Sequence, residues 1–232
     1  MISDALARYV QRLPTFITFF FSVMLVTVFR QLSDAFLWTT GPTPDLSNPG
    51  SWLLIIAFIS TLFFVVAVWL SYALLIERVP YSLDYSHFVF DVARFSVVYM
   101  IFEFAFLAAH PPNYVYYIAA LAVFHGMMAG WWYLSRLPQT PAADRPELHA
   151  DIRGHLLRGG VYLALATIYL FTVTLRWQTS PSWTAHGILV VITSAVLVYW
   201  NAERLREMKA KATAAHAAAL AGQAATTAAA AK

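Results

Sequence analysis

The sequence predicts an all-α, polytopic transmembrane helical bundle of about six spans with both termini on the cytoplasmic side. Three observations carry this. The chain has 232 residues, of which 60% are hydrophobic and only 12% charged, against roughly 25% charged in soluble domains. Its apolar residues gather into six stretches, each near the roughly 20 residues that a bilayer-spanning helix needs. Its lysines and arginines fall almost wholly on one side of those stretches. A water-soluble fold of this composition would lack the polar side chains to cover its surface, so hydrocarbon is the solvent for most of it.

Taken in order, residues 1–13 form the first element. Ile2, Leu6, Tyr9, Val10 and Leu13 recur at helical spacing behind Ser3 and Asp4, the pattern of a short amphipathic helix lying on the membrane surface. Arg8 and Arg12 ahead of an apolar run resemble a signal peptide. No small-x-small cleavage site follows, however, and the run is long enough to span, so it reads as a retained anchor. The six expected spans are 14–37, 52–76, 88–109, 114–134, 156–175 and 183–200, which together make 14–200 the membrane domain. Turn chemistry separates them: Gly41-Pro42 and Pro49-Gly50, then Pro80, then Pro111-Pro112-Asn113, Pro138, and Ser180-Pro181-Ser182. Residues 201–232 form a tail. It opens as a charged helix, Glu203 to Lys209, and passes into an alanine-rich segment. Alanine favours helix but offers nothing to bury, so the expectation there is a frayed helix or disorder.

Basic residues set the orientation. Arg8, Arg12, Arg78, Arg136, Arg145, Arg153, Arg158, Arg204, Arg206, Lys209, Lys211 and Lys232 fall on one side, and only Arg176 on the other; Arg30 and Arg94 lie within spans. That excess marks the cytoplasmic side of a plasma membrane, the inner membrane of a bacterium, and it requires an even number of spans. Tryptophan supplies a check on different residues. Trp38, Trp52, Trp177 and Trp183 stand at expected outer ends, and Trp69, Trp131, Trp132 and Trp200 toward inner ends, as the aromatic belts of a bilayer require. The same distribution explains the pI near 9.2. The expected partner is lipid, with no nucleic acid.

Four intramembrane ionisable positions are expensive, at roughly 2.5–3.5 kcal/mol each on insertion scales. Arg30 and Asp34 share a helix face in the first span, and Glu103 lies at a matching depth in the third. The expectation is that Arg30 bridges Asp34 and Glu103, either as a neutralised clamp between helices or as the lining of a solute path. His125 sits near the middle of the fourth span, where it must bond a neighbour or face a wet cavity. Toward the inner end of the third span, His87, Asp91 and Arg94 share one face. An interfacial ion pair with a snorkelling arginine is the plain reading of that group. The helix carrying polar groups on two faces belongs in the centre of the bundle. Ala122, Gly126 and Gly130 stand four apart and form a close-approach strip; Gly160 and Ala164 make a shorter one. Residues 137–155 mix both signs of charge and read as a solvated helical face.

Much is excluded. With no cysteine, disulfides, thiolate metal sites and iron–sulfur clusters are ruled out. No P-loop, Rossmann glycine pattern, HExxH or G-x-S-x-G motif is present, no span holds a regular arginine series, and no lysine lies within a span. No enzyme signature, resident metal or cofactor is expected. Three functional readings remain: a small membrane channel or carrier for an ion or small polar solute, working as a homo-oligomer; a non-catalytic subunit of a larger membrane complex; and, least favoured, an intramembrane enzyme or haem protein using the histidines.

Overall fold

The computed structural model describes residues 48–78, 85–137 and 145–230, with isolated positions 19, 22, 23, 26, 27, 30 and 142. Among the described residues every regular element is helical. We label the five long helices α1 (Pro49–Arg78), α2 (Tyr85–Ala105), α3 (Val115–Trp131), α4 (Arg145–Tyr169) and α5 (Trp183–Ala230). All five are long and apolar enough to cross a membrane. Short irregular turns extend three of them: a 3-10 turn over Phe106–Ala109 after α2, and wide π turns over Trp132–Arg136 after α3 and Leu170–Thr174 after α4. The amphipathic segment 1–13 and Asp34 lie outside the described residues.

Two helices depart from the expected ranges, for identifiable reasons. α4 starts at Arg145 rather than at 156, so most of the segment read as a solvated face is a packed helical extension of the span. Pro146 and Glu147 fall in its first turn, where a missing N–H is harmless and a negative charge meets the positive helix end. Leu148, Ile152 and His155, spaced by four and three, are buried. Leu148 and Ile152 pack with Ala129 and border Trp132 and Leu137. The exposed His149, Asp151 and Arg153 between them hide that stripe from a reading by composition. α5 runs unbroken through the charged segment to Ala230, because alanine and the Glu/Arg/Lys run before it are all strong helix formers.

α3 packs most extensively against α4, and α1 against α5, with α2 bridging α1 and α3. One glycine explains the first pairing. A side chain at Gly159 would meet the Ala122 carbonyl and the His125 Cβ, each at 3.5 Å, and the Gly126 nitrogen at 3.7 Å. The backbones of α3 and α4 thus touch where Ala122 and Gly126 present small surfaces. Gly126 and Gly130 themselves have open space at the Cβ position, as has Gly160; the α4 glycine that faces α3 is Gly159. Aromatic edges fill the rest of the core, including Phe58 on Phe102 at 5.2 Å and Phe64 on Phe124 at 5.1 Å between ring centres. Thr61 and Tyr117 tie α1 to α3 through a buried hydroxyl pair at 2.7 Å.

Candidate functional site

The basic end of the bundle, where α4 begins and α5 leaves the core, holds a cavity of about 430 Å³. α1 contributes Val68, Ser71 and Tyr72, α2 Arg94, and α3 Phe124 and Met128. Trp132 follows from the π turn, Asp151, His155 and Arg158 from α4, and Arg204, Glu207 and Met208 from α5. Helical periodicity produces this lining. On α4, Asp151, His155 and Arg158 are successively four and three residues apart, and on α5 Glu207 and Met208 lie three and four residues after Arg204, so each set shares one face. Depth sorts the charges. Arg94 is only 5% exposed and Arg158 and Arg204 are half-buried, whereas Asp151 and Glu207 are exposed. Guanidinium groups lie inside and carboxylates at the rim.

At the cavity floor two histidines from different helices meet. His125 Nδ1 of α3 and His155 Nδ1 of α4 are 3.1 Å apart, and Arg204 Nη1 lies 3.3 Å from His155 Nε2. These contacts fix the protons. A guanidinium can only donate, so His155 Nε2 accepts and the ring carries its hydrogen on Nδ1. That hydrogen is donated to His125 Nδ1, which leaves the His125 proton on Nε2. Arg204, His155 and His125 therefore form one directed chain of donors running from the cavity toward the bundle centre. The His125 ring stacks on Tyr162 with centroids 5.6 Å apart and planes 5° off parallel, and Tyr162 meets Trp200 edge-on at 5.6 Å. A recess of about 10 Å³, room for roughly one water, is lined by His125, Tyr162, Trp200 and Asn201. It shares Val68, Ser71, Phe124, Arg158 and Arg204 with the larger cavity, so the two are adjacent.

Beside the cavity, Arg94 pairs with Asp91 at 3.6 Å and lies over the Tyr72 ring at 4.5 Å from its centre. The Tyr72 hydroxyl donates to Asp91 at 3.3 Å. Both charges are buried; Arg94 turns into the bundle instead of snorkelling, because an aromatic face and a carboxylate meet it there. Arg158 stands 6.0 Å over Trp200.

The remaining predicted residues are arranged differently. Arg30 is exposed, and among the described residues no ion pair joins it to Glu103. Glu103 lies in the half of α2 away from the cavity, interacts with Tyr99 one turn earlier, and keeps one buried carboxylate oxygen without a hydrogen-bond partner. His87 is in the first turn of α2. The structure thus brings together Asp91, Arg94 and His125 at or beside the cavity and adds His155, Arg158 and Arg204, while Arg30 and Glu103 are not among the residues lining it. The signal for the added residues was in the sequence. Asp151 and His155 stand four apart, Arg158 follows at three, and that stripe merges with the buried positions Leu148 and Ile152.

The opposite end is closed. His186 of α5 donates from Nε2 to the Ala108 carbonyl at 2.8 Å and accepts at Nδ1 from the Tyr169 hydroxyl at 2.5 Å. Tyr114, Trp177 and Trp183 surround the imidazole edge-on, with centroids 5.7–6.5 Å away. Thr174 fastens the neighbouring turn by donating to the Pro112 carbonyl at 2.8 Å. Tyr114 interacts with Ser194 through their buried side chains, and the Tyr162 hydroxyl is buried with no hydrogen-bond partner among the described residues. No grouping of three or more potential metal ligands occurs among the described residues. Comparisons with protein-family models, with curated proteins and with solved structures give no match.

Proposed function

We propose that this chain is a small integral membrane carrier for an ion or small polar solute, which it takes up in the arginine-lined cavity at the basic end. The observation that carries the reading is the asymmetry of the bundle. An apolar helical assembly holds a charged cavity of about 430 Å³ at one end and a hydrogen-bonded aromatic plug at the other. Ionisable groups within spans cost roughly 2.5–3.5 kcal/mol each on insertion scales. A purely structural clamp would pair those groups and seal them. Here Arg94 within a span lines the cavity and His125 its recess, beside Arg158 and Arg204, which is the arrangement a binding step requires.

In this reading the segment 14–37 supplies a sixth span, both termini are cytoplasmic, and the cavity opens to the cytoplasm of a bacterial inner membrane, since the basic residues crowd that end. The closed end favours a carrier over a permanently open channel: a solute leaves only when the Tyr169–His186–Ala108 contacts part. The test is flux. Purified protein reconstituted into vesicles is expected to give saturable uptake above empty vesicles for at least one class among protons, metal cations, inorganic anions and small organic ions. Uptake should fall at least tenfold in His155→Ala. Vesicles no more permeable than empty ones to every class would overturn the proposal. A companion chain retained through mild-detergent purification would then favour the accessory-subunit reading.

A further inference from the structure

We infer that the cavity recognises an organic oxyanion, its carboxylate or phosphate group held between Arg158 and Arg204 and its apolar body against Phe124 and Met128. This deepens the transport reading, on which it rests, by naming the solute class. Three guanidinium groups from three helices face one cavity, and Arg94 and Arg158 both repel Arg204. Of the three, Arg94 is met by a carboxylate at 3.6 Å, while no ion pair within 4.0 Å involves Arg158 or Arg204 among the described residues. Asp151 and Glu207 attract Arg204 from the exposed rim without closing on it. In a low-dielectric wall, adjacent cations of this kind call for an anion between them.

The chemistry of the donors narrows the class. Arginine is always charged, cannot accept a hydrogen bond, and presents a fork that matches the two oxygens of a carboxylate or phosphate. One Nη of Arg204 is engaged by His155, which orients the guanidinium at the cavity floor and leaves its other donors for a ligand. A metal cation finds only rim carboxylates here. The volume decides the rest. About 430 Å³ is in the range of pockets for organic ligands and far exceeds an inorganic anion, while the Phe124 and Met128 walls suit an apolar or aromatic body.

The probes are benzoate and phenyl phosphate, titrated calorimetrically into the full chain in a neutral detergent. Saturable one-to-one binding is expected, at least tenfold weaker in Arg158→Gln and in Arg204→Gln and unchanged in Arg176→Gln at the far end. If either cavity variant fails to fold, competition on the unaltered protein decides instead. Excess inorganic phosphate should raise the apparent Kd for benzoate, and tetramethylammonium should not. Absence of saturable oxyanion binding, or binding that ignores both substitutions and phosphate, overturns the inference. Repeating the titration in phosphatidylcholine nanodiscs with and without phosphatidylglycerol separates the two sources of such a group. Loss of benzoate binding in the acidic discs assigns the site to a lipid headgroup, and unchanged binding assigns it to a soluble anion. Oxyanion binding without vesicle flux would leave the site standing and end the carrier reading. Saturable flux of a cation or neutral solute that survives both glutamines would do the reverse.

Discussion

His186 and His155 are both buried imidazoles on helices long and apolar enough to cross a membrane, one at each end of the same bundle, and their surroundings differ in kind. His186 engages both ring nitrogens with Tyr169 and the Ala108 carbonyl inside a wall of tyrosine and tryptophan. His155 also engages both nitrogens, but with His125 on one side and with Arg204 on the other, and Arg204 faces a cavity. One network ends in backbone and is closed. The other ends in a cation at the border of open space. Polar residues inside a membrane serve cohesion when every donor is spent on protein, and binding when a donor-rich face is left toward a cavity. The two ends should therefore respond to mutation differently: the closed end in stability, the cavity end in solute handling.

The largest effect is expected where both depend on one helix contact. Gly159→Leu drives a branched side chain into the Ala122 carbonyl and His125 Cβ, each 3.5 Å from the Cβ position, and should destabilise the bundle by roughly 1–3 kcal/mol. Gly159→Ala makes only ordinary contact there and should melt with the unaltered protein in detergent. His186→Leu comes next. It strips a partner from the buried Ala108 carbonyl and from Tyr169, at a cost of about 1–3 kcal/mol, read as a lower melting temperature. A His186→Leu protein that melts normally yet loses uptake would break the contrast between the ends.

Tyr169→Phe removes a single hydroxyl and should cost about 1 kcal/mol. It sharpens the comparison, because a carrier held shut by this bond should also show faster efflux from vesicles. The smallest change in stability, under about 1 kcal/mol, is expected from Arg204→Gln, which relieves repulsion among the three guanidinium groups. Its signature is instead in the protons. A glutamine amide can donate or accept, so His155 is no longer held with its hydrogen on Nδ1 alone. Nitrogen-15 spectra of labelled histidine should pass from one neutral tautomer to a mixture. An unchanged spectrum would show that Arg204 does not direct the chain of donors.

The helical character of this chain, and helices long and apolar enough to cross a membrane, were legible in its residues, because hydrophobic length and charge depletion are local properties that any lipid-solvated helix must show. Spans 52–76, 88–109 and 114–134 fall on α1, α2 and α3 for that reason. α4 was misjudged at its start: exposed His149, Asp151 and Arg153 lower the mean hydropathy of a segment whose other face is buried. Asp91 with Arg94 could be read as a pair from their spacing of three, since both lie on one helix. The partnership of His125 with His155, thirty residues apart, could not. It depends on α4 packing against α3 with Gly159 facing Ala122 and His125, and on α5 continuing helically far enough to bring Arg204 alongside. Such contacts between helices are set by where backbones can touch, and no periodicity along a single helix encodes that. Composition and spacing determined that these helices are long and apolar enough to cross a membrane, and which of their faces are polar. Only the packing of α1 to α5 decided which polar faces meet, and so where the cavity lies and which end is closed.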